Sequence, residues 1–249
     1  MIEHDCVTNF LVIEETEDYI AVVKPAPLIV HPTDKKGQPT LLCGLQQLLA
    51  YEIVNGIKLS IINRLDRETS GVVLVAKNKS TARSFNRSME RRTVRKTYLA
   101  IVLGNPEWDK IEVTAPIGNL RDVAKSKIWL KQSVSDIGKP SSTVFSKKKD
   151  YDGFCLVEVK PRTGRMHQIR VHASYLGFPI VGDKIYGPDE DFYLQHIDHG
   201  WSKQMDESLL LKRQALHASE LEIEHEDSII RLAAPLADDL VSFLHRHCE

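Results

Sequence analysis

The feature that most constrains this chain is Asn63-Arg64-Leu65-Asp66-Arg67-Glu68-Thr69-Ser70-Gly71, a polar loop between the apolar runs Leu59-Ser60-Ile61-Ile62 and Val72-Val73-Leu74-Val75-Ala76. Two strand-like runs joined by a short turn ending in Gly read as a β-hairpin. Alternate residues of an extended chain point the same way, so Arg64 and Asp66 are expected to project to one side near its tip. An aspartate at a turn often serves only its own backbone, and Ser70-Gly71 is ordinary turn chemistry. Loops carried on rigid strands are also where working carboxylates are found. On this feature alone both readings stand.

With 249 residues, 42% hydrophobic and 27% charged, the composition is that of a soluble globular protein. The reading is one catalytic body over residues 1–249, with a pseudo-twofold or two-lobed sheet as one form open to it. The apolar runs are too short to span a bilayer, and the start Met1-Ile2-Glu3-His4-Asp5 lacks the basic and apolar regions of a signal peptide. A cytoplasmic protein without membrane partners is therefore expected. Cys6, Cys43, Cys155 and Cys248 stand singly, which argues for reduced thiols and against a zinc site or a disulfide framework. His196 with His199, and His245 with His247, lack the neighbours of a recognised metal spacing. With no GxGxxG and no P-loop either, no cofactor is expected.

The formal net charge of −1 conceals an asymmetry. Residues 77–131 hold 13 Lys and Arg against 5 Asp and Glu, whereas residues 186–249 hold 5 against 14. The first stretch suits a polyanion, although charge runs are commonly no more than solvated helix faces.

Tyr19–Lys24 and Leu28–His31 read as short strands broken by Pro25-Ala26-Pro27. Thr40 is placed to cap a helix over Leu41–Glu52. Ser80 is placed to open another over Thr81–Arg92, on which Arg83, Arg87 and Arg91 recur every four residues as a basic stripe. Arg95–Gly104 follows as a strand bearing Tyr98, for which a half-buried sheet aromatic is the plain reading. Further strands are expected at Ile111–Ile117, Ser142–Ser146, Phe154–Val159, Leu216–Ile223 and Ile229–Ala233, with a closing helix from Leu236.

A second constellation, Lys160 to His172, runs from a strand end into a helix that Gly177 terminates, with Thr163 the nearest capping candidate. At about 100° per residue, Met166, Ile169, Ala173 and Leu176 form an apolar arc, and Arg170 falls within it. A buried guanidinium needs a carboxylate, and Asp66 is the candidate. A purely structural pair, or a side chain snorkelling to water, would satisfy the same pattern.

These residues taken together are familiar. Arg64-Leu65-Asp66-Arg67-Glu68-Thr69-Ser70-Gly71, Arg95-Lys96-Thr97-Tyr98, Gly164-Arg165-Met166-His167-Gln168-Ile169-Arg170-Val171-His172 and Gly182-Asp183-Lys184-Ile185-Tyr186-Gly187 resemble the ordered motifs of the RluA-type pseudouridine synthases. The resemblance runs from Lys24-Pro25 and His31-Pro32 to Leu216-His217-Ala218.

The resemblance implies an α+β fold, with a mixed, largely antiparallel sheet, flanking helices and a central active-site cleft. It also implies cofactor-free isomerisation of uridine to pseudouridine in structured ribosomal or transfer RNA. Asp66 would be the essential carboxylate, Tyr98 the aromatic against the target base, and Arg170 the salt-bridge partner of Asp66. Arg64 matches the position that fills the space of the flipped nucleotide. Arg83, Arg87, Arg91, Arg92, Arg95, Lys96, Arg165 and His167 would serve RNA binding, with Lys125, Lys127 and Lys131 as further phosphate contacts.

Asn63, Val23 and Pro27 depart from the usual His, Asn and Gly; these departures leave the carboxylate untouched and bear on substrate preference. The motifs begin almost at once, so the small N-terminal RNA-binding domain of some relatives is expected to be absent. A non-catalytic RNA-binding or ribosome-assembly protein on the same scaffold is the alternative. It has no need of the Asp66, Tyr98 and Arg170 set.

Overall fold

A computed structural model describes residues 9–32, 38–226 and 228–247. In chain order the elements are β1 (Leu11–Glu15), β2 (Tyr19–Lys24), α1 (Leu41–Leu48), α2 (Ala50–Val54), β3 (Ser60–Ile61), β4 (Ser70–Ala76), α3 (Lys79–Arg91) and β5 (Arg95–Leu103). There follow β6 (Lys110–Thr114), β7 (Ile117–Asn119), β8 (Gln132–Val134), β9 (Ser142–Tyr151), β10 (Phe154–Pro161) and α4 (Gln168–Tyr175). The last are α5 (Asp191–His199), α6 (Lys203–Leu209), β11 (Leu216–His225), β12 (Ser228–Ala233) and α7 (Asp238–Arg246). The chain divides into two compact units, the first running to Lys96 and resuming at His217–Ala237, the second comprising Thr97–Leu216 and the residues from Asp238.

In the first unit the strand order is β1-β2-β4-β11, with β12 on β11 and β3 on β4. β2 and β3 both run antiparallel to β4, whereas His217 and Ala218 of β11 pair parallel with Ser70 and Gly71. β4 is an unbroken apolar run because helices cover both of its faces. Val72, Leu74 and Ala76 pack with Phe85 of α3, and Val73 and Val75 pack with Leu41 and Leu45 of α1. Every residue of β4 is buried. At roughly 1.5–3 kcal/mol for each fully buried Val, Leu or Phe, this layer holds the hairpin stem rigid.

The second unit orders β5-β10-β9-β6, all antiparallel, with β7 and β8 forming a separate pair. Val171 of α4 joins Ile117, Ile128, Ile185 and Tyr186 in one apolar cluster. Phe192 of α5 meets Met205 and Leu209 of α6 in another.

The α+β class and the mostly antiparallel strands agree with the sequence reading. Several boundaries differ for local reasons. Leu28–His31 forms no strand and contributes only a bridge from Ile29 to Thr40. The expected helix Leu41–Glu52 divides at Leu49, while Thr40 does cap it, its hydroxyl accepting from Cys43 N at 3.0 Å. Asn78, not Ser80, caps α3 through its side-chain oxygen on Thr81 N. β1, β7, β8, α5 and α6 are additions.

Thr163 is not the cap of α4. His167 occupies that position in the left-handed region at φ 55°, while the Thr163 hydroxyl donates to Gln168 Oε1 at 2.7 Å. Met166 precedes the helix and is exposed, so the buried arc is carried by Ile169 and Ala173. Cys43 is disulfide-bonded, which corrects the expectation of reduced thiols there. Cys6, Cys248 and the acidic start at 1–5 lie outside the described residues. Cys155 is free and buried, its thiol pushed up to about 12 chiefly by burial.

Candidate active site

The Asp66 loop closes as a tight turn in which the Asp66 carbonyl accepts from Thr69 N at 3.1 Å. Four anchors fix it within the first unit. The Asn63 amide donates to Val72 O at 3.0 Å and accepts from Leu74 N at 2.8 Å, extending the β3–β4 hairpin by a side chain. The Arg67 carbonyl accepts from Leu28 N at 2.9 Å. The same carbonyl takes a bond from the wholly buried ammonium of Lys24, which also donates to Pro25 O and Leu28 O. Ser70 Oγ lies 2.9 Å from Nδ1 of the buried His217.

Gly71 then lets two backbones touch. A Cβ at this residue, whose φ is +116°, would stand 2.2 Å from the Ala218 carbonyl oxygen. Asp66 is half-buried at the first corner of this braced turn, and Arg64 is exposed with Nη1 3.5 Å from His31 Nε2.

In the second unit Tyr98 is half-buried in β5 opposite Val159. Arg170 of α4 is 5% exposed, so its charge requires compensation at once. Asp183 supplies it, accepting from Nε at 2.6 Å and from Nη2 at 2.9 Å. Tyr186 lies beneath the guanidinium at 5.0 Å. Burial alone would raise the Asp183 pKa; the Arg170 charge and hydrogen bonds, with the Tyr186 and Ile185 amides, outweigh it and hold the carboxyl below its ordinary range.

The network extends outward. The Tyr186 hydroxyl accepts from Gln132 N at 2.8 Å and meets His167 Nδ1 at 2.8 Å. Gln168 ties the approach to α4 through Arg165 N, Ser142 O and Thr143 Oγ1. His172 bonds Thr143 Oγ1 and Ala115 O, and its pKa is lowered by burial, so it is a neutral core histidine.

Asp183, from the same unit, is a carboxylate on Arg170 that the sequence does not single out. Asp183 stood in a quoted motif without a role. The usable signal was a lone carboxylate directly after the apolar Ile180-Val181-Gly182, a place where only a paired acid is tolerated. Lys24 and His217 were passed over likewise.

Of the basic residues, Arg83, Arg87, Arg91 and Arg92 are exposed and make no ion pair among the described residues. Arg95 is exposed beside Glu222 at 3.5 Å. Lys96 is half-buried, and Arg165 Nε donates to Pro140 O at 3.2 Å. His167 is held by Tyr186, edge to face as well as by the hydrogen bond. Lys127 and Lys131 face Asp191 and Glu190, so they are partly spent on the acidic segment. Among the described residues no group of three or more His, Cys, Asp or Glu could hold a metal ion, and no helix is long and apolar enough to cross a membrane.

A braced aspartate turn and a carboxylate-held arginine on mostly antiparallel sheets define a class that comparison with known proteins makes specific. Residues 18–175 match the family model described as RNA pseudouridylate synthase, and the chain belongs to that family, in its RluA-type branch.

It is 34% identical over 235 residues to ribosomal large subunit pseudouridine synthase D of Nitrosomonas europaea, covering 92% of this chain and 63% of that one. It is 36% identical over 232 residues to ribosomal large subunit pseudouridine synthase C of Pasteurella multocida, with 92% and 65% covered. The chain thus spans just under two thirds of the length of these relatives. Among solved structures, human RNA pseudouridylate synthase domain containing 1 superposes with a TM-score of 0.71 at 26% identity, covering 97% of this chain and 90% of that one. Human RNA pseudouridylate synthase domain containing 4 superposes at 0.75 with 24% identity, covering 95% and 92%, and speaks to the fold alone.

Proposed function

We propose that this chain isomerises uridine to pseudouridine in structured RNA, with Asp66 as the essential carboxylate. The observation that carries the reading is the bracing of the Asp66 turn by Asn63, Lys24, Ser70 with His217, and the Gly71–Ala218 contact. A turn whose aspartate served only its own backbone would not need four independent anchors, two of them buried and ionisable.

The reaction suits these residues. The N1–C1′ bond breaks, uracil turns, a C5–C1′ bond forms, the C5 proton leaves and N1 takes up a proton, with no net oxidation or hydrolysis. Asp66 acts on the sugar, either by attacking it or by removing a proton to give a glycal. Tyr98 packs on the base and helps take the C5 proton. Arg170 supplies a fixed cation whose orientation Asp183 sets.

A stacked base must first leave the helix, at a cost of about a few kcal/mol. Arg64 fills the space it vacates, while Arg83, Arg87, Arg91, Arg92, Arg95 and Lys96, with Arg165 and His167, hold the surrounding RNA. Ribosomal RNA is the favoured substrate, since the relatives named above are ribosomal large subunit enzymes. Transfer RNA is the second candidate, and the cytoplasm is the compartment we assign. Residues 1–249 would act as one catalytic domain without a cofactor.

The test is Asp66→Asn assayed for turnover and for RNA binding. Loss of turnover by at least about 10³-fold with binding within a factor of about two is expected, in line with the loss of an essential acid–base or nucleophilic group. Retained turnover would remove the assigned role.

A further inference from the structure

Lys96 differs from the other lysines that the fold takes out of water. Lys24 brings three carbonyl acceptors with it, Lys77 is paired with Glu15 and Glu52, and Lys184 donates to Lys212 O. The half-buried Lys96 ammonium has no hydrogen bond or ion pair among the described residues. Burial alone pulls its pKa below the ordinary lysine value, with no neighbouring carboxylate to offset it. A cation drawn from water without a partner costs stability, and that cost is commonly retained where a ligand supplies the missing charge.

Its position says which ligand. Lys96 stands two residues before Tyr98 in β5, so strand alternation sets the two on one face, with the buried Thr97 turned to the other. We propose that Lys96 binds an anionic oxygen of the nucleotide being isomerised, on the face of β5 that carries Tyr98. This rests on the reading of the chain as a pseudouridine synthase.

Two oxygens have the required chemistry, one of the phosphate flanking the target uridine and a carbonyl oxygen of detached uracil. The electron pair of the N1–C1′ bond leaves with uracil and returns through C5, so the lysine stabilises charge and exchanges no proton. A phosphate is charged throughout, whereas the uracil oxygen is fully charged only while detached. The first source appears in affinity and the second in rate.

The experiment compares wild type, Lys96→Met and Lys96→Arg as full chains, using in vitro transcribed ribosomal RNA that lacks pseudouridine. Without RNA, Lys96→Met is expected to melt about 2–4 °C higher, because an uncompensated cation is replaced by an apolar stem. A phosphate contact gives about 5–10-fold weaker binding, a salt slope reduced by about 0.9 and an unchanged rate for bound RNA, with Lys96→Arg largely restoring affinity. A uracil contact leaves affinity unchanged and slows single-turnover conversion by about 10-fold or more.

A lowered melting temperature in Lys96→Met, or affinity and rate both at the wild-type level, overturns the proposal. A wild type that converts no RNA counts against the enzyme reading instead; the melting shift and the affinity are measured without turnover and still decide the role of Lys96.

Discussion

Arg170 and Asp183 form a two-pronged ion pair, Nε to Oδ2 at 2.6 Å and Nη2 to Oδ1 at 2.9 Å, with both side chains almost wholly out of water. Two parallel bonds fix the plane of the guanidinium as well as its position. The Tyr186 ring beneath and the two backbone amides on Asp183 Oδ1 leave the pair little room to turn.

Removing one partner therefore leaves a buried charge behind. Asp183→Asn is expected to cost about 3–5 kcal/mol, read from urea unfolding, and to reduce activity with it. A variant as stable as wild type would show that the pair is dispensable to the fold.

The same pair sets an acid limit. Because the folded pKa of Asp183 is depressed, its contribution is fully present above the unfolded value of about 3.9 and is lost as the pH falls through the folded value. Melting curves below about pH 4 should fall more steeply for wild type than for Asp183→Asn. Parallel curves would contradict this linkage.

Gly71 admits no side chain. Its φ of +116° and the 2.2 Å approach to Ala218 O predict that Gly71→Ala destabilises by about 3 kcal/mol or more and displaces the Asp66 turn. Unfolding and turnover measured on the same preparation check both effects.

Lys24→Met would remove the ammonium from the Pro25 and Leu28 carbonyls and leave the Arg67 carbonyl only its bond from Leu28 N. A loss of about 2–4 kcal/mol is expected from the unsatisfied acceptors, together with a fall in kcat as the turn loosens. Unchanged kcat in a correctly folded Lys24→Met protein would separate this lysine from the site.

Replacing Arg83, Arg87 and Arg91 by Ala should leave stability within about 0.5 kcal/mol, since all three are exposed. RNA affinity should weaken and its logarithmic salt slope should fall by up to about 2.7, as measured by fluorescence anisotropy across salt concentrations. An unchanged slope would place the RNA elsewhere.

The parts of this fold legible in the sequence are those set by local rules. β2, β4 and β5 declare themselves as apolar runs, Thr40 as a cap and Gly177 as a helix stop with φ +83°. What stayed hidden depends on partners distant in sequence. Leu28–His31 has strand composition yet gives only a bridge, because its backbone is used by Arg67 and by the start of α1. The helical wheel shows that Arg170 needs an acid, but a wheel carries no information about another element, so the part that Asp183 plays beside it was not legible. Asn63 looked like a substitution in a motif; its two bonds to β4 emerge only once the hairpin is formed.

The most direct test of the central claim is tritium release from C5-labelled uridine in ribosomal and transfer RNA lacking pseudouridine, comparing wild type with Asp66→Asn. Release by wild type, and none by Asp66→Asn that still binds RNA, is the predicted result. No release from either RNA by a wild type that binds it tightly would contradict the isomerase and favour an RNA-binding or ribosome-assembly protein on the same scaffold.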